Sequence, residues 1–131
     1  MKTNPLNIRS SKDIFLGELK STGQFKVFIN RTYGVRAAIK IISNYHLKYG
    51  IDFTIRSIVT RWAPPSENNT FNYINFVSSH MFVDPDSVLG SKTLFLKLIH
   101  AMAIFESNIN LTQKCMDDAW NMVFPNYASI D

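Results

Sequence analysis

The amino-acid sequence predicts a mainly helical α+β fold, with about five helices and a short β ribbon near the N-terminus. Three observations support this class. Apolar residues recur every three or four positions over most of the chain after residue 32, which is the helical period. Ten phenylalanines against five glycines favour packed helices over a sandwich with many turns. A length of 131 residues, 46% of them hydrophobic, predicts one globular domain over residues 1–131.

The N-terminal part is polar and irregular apart from two short apolar stretches. Residues 25–28 alternate between the two sides of a strand, because Lys26 separates Phe25 from Val27. The stretch from Ile14 to Leu16 can pair with it. Since an isolated two-stranded ribbon is marginally stable in water, we expect this one to pack on the helices.

Local start and stop signals divide the remainder into five helices. Gly50 follows the first apolar stripe, as expected for a left-handed residue at a helix end. Pro64 and Pro65 must end the second helix, and Pro125 the fifth. The turn at Asp84 separates the third helix from the fourth. The predicted N-terminal caps, all small polar residues, are Thr32, Thr54, Asn69 or Thr70, Ser91 and Thr112.

Charge and motif content argue against several classes of function. The 14 basic and 10 acidic residues give a net charge of +4, and the basic residues are scattered, which does not predict a nucleic-acid groove. Cys115 is the only cysteine, so no intrachain disulfide is expected, and it is predicted to be a buried thiol on a helix. His46, His80 and His100 are far apart, and no metal site or cofactor is predicted. Serine-hydrolase, phosphate-loop and zinc-protease motifs do not occur.

The sequence predicts no signal peptide and no membrane span. Its first eleven residues are polar, and its longest apolar runs are far shorter than a bilayer requires. We therefore expect synthesis in the cytoplasm. Action in a virion, or at the bacterial cell wall, would require delivery by another system.

The stretch from Trp62 to Thr70, called the elbow here, carries five consecutive polar side chains after two prolines. Its two prolines prevent a continuous helix, and five hydrogen-bonding residues follow them. Helix capping accounts for one or two of these residues. It gives no structural role to Glu67 and Asn68 together beside Trp62, so a functional and a purely structural interpretation stay equally open.

Only three glutamates occur, Glu18, Glu67 and Glu106, and each lies at the boundary of a predicted element. At the end of the fourth helix, Glu106 opposes the helix dipole. Walled by Phe105 and Met102, its carboxyl would be a candidate general acid with a raised pKa. Cleavage of a glycosidic bond needs one such acid, often with a second carboxylate. The competing interpretation is a frayed helix end that points to water.

Several motifs occur in a characteristic order along most of the chain, from about Asn4 to Glu106. They are Asn4-Pro5-x-Asn7-Ile8-Arg9, Phe25-x-x-Phe28, Tyr33-Gly34-x-Arg36-Ala37, and Arg61-Trp62-Ala63-Pro64-Pro65-x-Glu67-Asn68-x-Thr70-x-x-Tyr73. The sequence resembles a family of small proteins from tailed phages and prophages that are commonly labelled structural or virion proteins. It resembles lysozyme-like peptidoglycan hydrolases more loosely.

The lysozyme-like resemblance implies a lysozyme-like domain that binds cell-wall glycan and cleaves it with a glutamate general acid, as a muramidase or lytic transglycosylase. Glu67 is the preferred acid, with Glu18 and Glu106 as rivals. The residues it implies for substrate binding are Asn7, Arg9, Arg36, Trp62, Asn68, Thr70 and Tyr73. The implied partners are peptidoglycan glycan strands and other virion proteins.

Two other functions stay open. The first is a non-enzymatic virion or assembly component, in which the elbow is a binding surface or a fold device. The second is a protein that inhibits or redirects a host protein. A convex, exposed Glu67 without a groove or second acid nearby would argue against the enzyme.

Overall fold

The computed structural model describes residues 1–126 and confirms a mainly α fold with a short β ribbon. Five helices follow two strands within these residues. The strands are β1 (Glu18–Leu19) and β2 (Val27–Phe28); the helices are α1 (Arg31–Leu47), α2 (Ile55–Trp62), α3 (Thr70–Met81), α4 (Lys92–Ser107) and α5 (Gln113–Val123).

The ribbon forms with a different first strand from the predicted one. The two strands pair antiparallel, with Glu18 opposite Phe28 and Leu19 opposite Val27, so the prediction that Ile14 to Leu16 pairs with residues 25–28 is wrong. A turn closed by the Glu18 N–H donating to the Phe15 carbonyl at 3.0 Å lies there instead. Gly17, at φ +78, supplies the left-handed residue this turn needs.

Most helix ends follow the predicted capping residues. The side chains of Thr54, Asn69, Ser91 and Thr112 each accept a backbone N–H in the first turn of their helix. The prediction of Thr32 as the first cap is wrong. The Asn30 side chain accepts the Tyr33 N–H, and α1 begins at the next residue, Arg31. Gly50 has the predicted left-handed backbone, at φ +66.

Helix α1 packs against α5, and α3 packs against both α4 and α2. The core lies between these two groups of helices, where α1 contacts α4. Its fully buried members include Ile39, Ile58, Val77 and Leu98, one from each of α1 to α4, and Met102. The polar N-terminal segment contributes as well, since Leu6 has no exposed surface and Ile8 has 6%.

The N-terminal segment is fixed by a buried amide. Asn4, 4% exposed, donates to the carbonyls of Ile8 and Lys26 and accepts the Ile8 N–H. The segment crosses α1 at Gly34, where an added Cβ would lie 2.0 Å from the Thr3 carbonyl oxygen. This close approach explains the glycine of the Tyr33-Gly34 motif and brings Asn7 toward the ends of α2 and α4.

Candidate functional site

A cleft of about 290 Å³ opens between the N-terminal segment, α1, the end of α2 with the elbow, and the end of α4. Most residues that the resemblance singled out lie in or beside it. Its lining residues are Asn7, Ile8, Arg9, Phe25, Ile41, Tyr45, Trp62, Ala63, Glu67, Asn68 and Glu106.

The elbow holds its shape through its own hydrogen bonds. The Thr70 hydroxyl donates to the Ala63 carbonyl, and the Asn68 amide donates to the Pro64 carbonyl at 3.2 Å. The Glu67 N–H donates to the same Pro64 carbonyl at 3.0 Å. These bonds satisfy backbone groups that lie beyond the end of α2. Thr70 is therefore buried as a structural member of the elbow, while Glu67 and Asn68 remain exposed at the cleft.

The carboxylate of Glu106 is the meeting point of three segments. The Tyr73 hydroxyl donates to its Oε2 at 2.9 Å, and the Trp62 indole N–H donates to the same oxygen at 3.2 Å. The Asn7 amide donates to Oε1 at 3.1 Å and to the Glu106 backbone carbonyl at 3.0 Å. These donors lie 33, 44 and 99 residues away in sequence. The predicted frayed, water-directed helix end does not occur.

These donors also explain how a carboxylate is accommodated in the last turn of α4. The carbonyl end of a helix disfavours negative charge, and here three side chains donate hydrogen bonds to the carboxylate. Asn7 reaches Glu106 from a left-handed backbone conformation, φ +55, that asparagine tolerates better than most residues.

Tyr73 is a buried residue that lies behind the Glu106 carboxylate. It is 3% exposed, and its ring stacks on Phe105 with centroids 4.0 Å apart. Burial raises the pKa of its hydroxyl well above the usual range, and the neighbouring Glu106 carboxylate raises it further. Tyr73 therefore stays protonated and remains a hydrogen-bond donor to Glu106.

The cleft has a mixed polar and aromatic wall. The Arg9 guanidinium lies 5.5 Å from the centre of the Phe25 ring, and that of Arg61 lies 5.6 Å from the centre of the Tyr45 ring. Burial raises the pKa of Tyr45 to about 12, although the nearby Arg61 acts in the opposite direction. Both acids Glu67 and Glu106 line this one cleft, so a groove with a second carboxylate is present.

Two predicted site residues lie elsewhere. Glu18 is paired with Lys26, whose Nζ lies 3.0 Å from both carboxylate oxygens, on the inner side of the ribbon. Arg36 is half-buried on α1 and does not line the cleft. Its Nε has no hydrogen-bond partner within residues 1–126.

Sequence reasoning did not assign five lining residues to the site: Ile8, Phe25, Ile41, Tyr45 and Ala63. Ile41 and Tyr45 are one helical turn apart and border the buried face of α1, so their sequence signal is that of ordinary core residues. Phe25 belongs to the predicted strand and to the Phe25-x-x-Phe28 motif of the resemblance, but neither pattern assigns it to the site. An isolated β-bridge between Arg9 and Phe25 places Phe25 beside Arg9, two residues before Val27 of the ribbon.

The part of the chain that the structure describes has no group of three or more His, Cys, Asp or Glu side chains arranged to hold a metal ion. Nor does any helix in residues 1–126 have the length and apolar character to span a membrane.

The fold thus defines a small helical protein with a cleft lined by the Glu67 and Glu106 carboxylates. No protein-family model matches the chain. It is 37% identical over 112 residues to Protein P5 of Pseudoalteromonas phage PM2, an alignment that covers 82% of this chain and 69% of the phage protein. The chain belongs to the family of that phage protein, which confirms the predicted relationship to phage proteins. The lysozyme-like resemblance stays a prediction.

Proposed function

We propose that this chain is a non-enzymatic virion component whose cleft is a binding site for a donor-rich polar ligand. The virion role is supported by the membership of this chain in a phage protein family. The observation that carries the binding role is the anchoring of the Glu106 carboxylate at the cleft by hydrogen bonds from Asn7, Trp62 and Tyr73.

A general acid must hold a proton before the reaction begins. Both carboxylate oxygens of Glu106 are instead acceptors for the protein's own donors, Asn7, Trp62 and Tyr73. The side chain thereby cross-links the N-terminal segment, α2, α3 and α4. This supports a binding and structural role over acid catalysis.

The chemistry of the cleft defines the ligand class. Two carboxylates, Glu67 and Glu106, accept hydrogen bonds, and the Asn68 amide and Arg9 guanidinium offer donors at the same cleft. The half-buried Trp62 ring adds an apolar surface beside them. A ligand with hydroxyl, amide or ammonium donors fits this arrangement.

Particle composition tests the virion role. We expect the chain to co-sediment with purified phage particles in a density gradient and to stay bound after a high-salt wash, at a constant ratio to the major coat protein. An antibody against the chain, with quantitative mass spectrometry, measures that ratio. Recovery only in the soluble fraction of phage-producing cells would contradict the proposal.

A second candidate function is cleavage of peptidoglycan glycan strands, favoured by the presence of Glu67 and Glu106 in one cleft with Trp62 and Asn68. In this alternative the exposed Glu67 is the acid, and the separation of the two carboxylates decides between inversion and retention. It would place the chain at the bacterial cell wall after delivery.

A turbidity assay on purified peptidoglycan separates the two candidates. The binding proposal expects no clearing by the parent. The enzymatic candidate expects clearing that Glu67→Gln abolishes and Asp86→Asn preserves, because Asp86 is exposed and lies outside the cleft. Clearing by the parent that Glu67→Gln removes would overturn the non-enzymatic proposal.

A further inference from the structure

The outer side of the ribbon is apolar and uncovered. Leu19 and Val27 are direct partners across the two strands, and Ile29 lies two residues beyond Val27 on the same side. They are 46%, 40% and 58% exposed. We call Leu19, Val27 and Ile29, with Ile14 and Leu16, the ribbon face.

The segment that leads into β1 carries two more exposed aliphatic side chains. Ile14 is 82% exposed and Leu16 is 59% exposed. The inner side differs sharply, since Phe28 is 1% exposed and Lys26 is 3% exposed. Five aliphatic side chains within sixteen residues of sequence are thus directed away from the core, and clustered exposed apolar residues mark interaction sites.

The whole formal net charge of the protein is concentrated in the same region. The chain carries +4, and residues 1–31 hold six basic and two acidic residues, whereas residues 32–131 hold equal numbers of each. One of the two acids, Glu18, is neutralised by the buried Lys26. Exposed Lys20 follows Leu19 directly, exposed Lys12 lies two residues before Ile14 with Asp13 between them, and Arg31 lies two residues after Ile29.

We propose that the ribbon face docks another phage protein whose matching surface is apolar at its centre and acidic around it. Complementary charge at the border steers association and selects against wrong partners. A second copy of this chain fits poorly, because two ribbon faces would oppose basic borders of the same sign.

The structure favours a protein over a lipid surface. The ribbon face is built partly on a paired strand, and within residues 1–126 β1 has β2 as its only strand neighbour, so its outer edge is open to another backbone. Membrane-surface segments are instead typically amphipathic helices, often with Trp or Tyr at the interface. The ribbon face contains neither of those aromatic residues.

Site-specific photocrosslinking in phage-producing cells tests the docking. A photoreactive phenylalanine derivative is placed at Leu19 or Ile29, with matched controls at Leu47 and Phe82, which are 71% and 95% exposed on other elements. We expect adducts from the first two positions with one other phage-encoded protein, through a peptide rich in Asp and Glu. The control positions should not yield that adduct.

Charge reversal supplies the second readout. Lys12→Glu with Lys20→Glu should lower the adduct yield about tenfold through lost charge complementarity. Lys40→Glu with Lys48→Glu, at exposed lysines of α1 and its end, should leave it unchanged. Circular dichroism verifies that every variant retains its helices.

Several outcomes would overturn the docking proposal: an adduct with lipid or with a second copy, no adduct at Leu19 and Ile29, equal adducts at Phe82, or insensitivity to the charge reversal. The virion proposal is tested separately by particle composition. An adduct in cells without the chain in purified particles would contradict the virion role and leave the docking intact.

Discussion

At the scale of single residues, Glu106 determines the character of the site. Its position at the carbonyl end of α4 is unfavourable for a carboxylate, and only donors from distant parts of the chain make it stable. Trp62 and Tyr73 donate to one oxygen and Asn7 to the other. The same contacts fix the cleft floor and join the N-terminal segment to three helices.

Substitution of Glu106 by glutamine tests this cross-link. The amide of Glu106→Gln keeps one acceptor oxygen and directs its NH₂ group toward existing donors. We expect a loss of about 1–3 kcal/mol in the free energy of unfolding, measured by urea denaturation. Glu67→Gln, at an exposed position, should change it by less than about 0.5 kcal/mol. Equal effects of the two variants would contradict the structural role of Glu106.

The buried hydroxyls of Tyr73 and Tyr45 lead us to expect a lower free energy of unfolding at alkaline pH. Burial raises the pKa of both hydroxyls above the ordinary value of 10.0. Above that pH the unfolded chain loses these protons while the folded chain retains them, so the free energy of unfolding falls with rising pH. The stabilisation is complete below pH 10 and, for Tyr45, is lost as the pH approaches about 12.

Each proton that the folded chain retains and the unfolded chain loses makes the free energy of unfolding fall by about 1.4 kcal/mol per pH unit. Tyr73→Phe should therefore make the decline shallower by one such contribution in urea titrations between pH 10 and 11, even though it removes a hydrogen bond to Glu106. Tyr49→Phe, at a tyrosine that is 62% exposed, should retain the parent slope. An unchanged slope in Tyr73→Phe would rule out this account.

At the scale of elements, the ribbon is held to the fold by an ion pair on its inner side. Lys26 donates to both oxygens of Glu18 at 3.0 Å and to the Asp13 carbonyl at 2.6 Å. Glu18 in turn accepts the Phe15 N–H at 3.1 Å. One buried cation thus fixes the loop before β1 and the pairing of the two strands.

Removal of either partner should leave a poorly compensated buried charge. We expect Glu18→Gln or Lys26→Met to lower the free energy of unfolding by about 3 kcal/mol, and the double variant Glu18→Leu/Lys26→Met to recover part of that loss. Arg56→Met, which breaks a highly exposed pair with Asp86, should scarcely move the urea midpoint. A double variant that loses at least as much stability as the two single variants combined would argue against a buried pair.

Helix ends were predictable because capping is a local interaction between residues two or three positions apart, as at Thr54, Ser91 and Thr112. The ribbon was not, because its register depends on the Gly17 turn and on Lys26 reaching inward. A lysine at position 26 is typical of a surface residue in sequence, yet its ammonium is buried against Glu18 of β1 and the Asp13 carbonyl of the loop before β1.

At the scale of the whole molecule, the cleft is a product of the tertiary fold. The resemblance singled out Asn7, Trp62, Tyr73 and Glu106, but no local pattern could show that the first three donate to the fourth. Nor could it distinguish Thr70, used within the elbow, from Asn68 at the cleft. The irregular segment around Leu6 reads as a loop, but it supplies both a core residue and one wall of the site.

The crossing of the N-terminal segment over Gly34 couples global packing to the cleft. Gly34→Ala would place a methyl group against the Thr3 backbone carbonyl, at 2.0 Å before any adjustment, and backbone at this position has little room to yield. We expect a loss of about 1–3 kcal/mol in the free energy of unfolding, as for other overpacked sites. The displaced segment should also weaken the Asn7–Glu106 hydrogen bond.

Two measurements separate this coupling from ordinary destabilisation. In two-dimensional NMR spectra of Gly34→Ala, the indole N–H resonance of Trp62 should shift because that group shares the Glu106 carboxylate with Asn7, while that of Trp120 on α5 should move little. Gly90→Ala, where an added Cβ meets no atom within 4 Å, should leave both resonances in place. A destabilised Gly34→Ala whose Trp62 resonance stays at its parent position would show that the crossing supports the core without controlling the cleft.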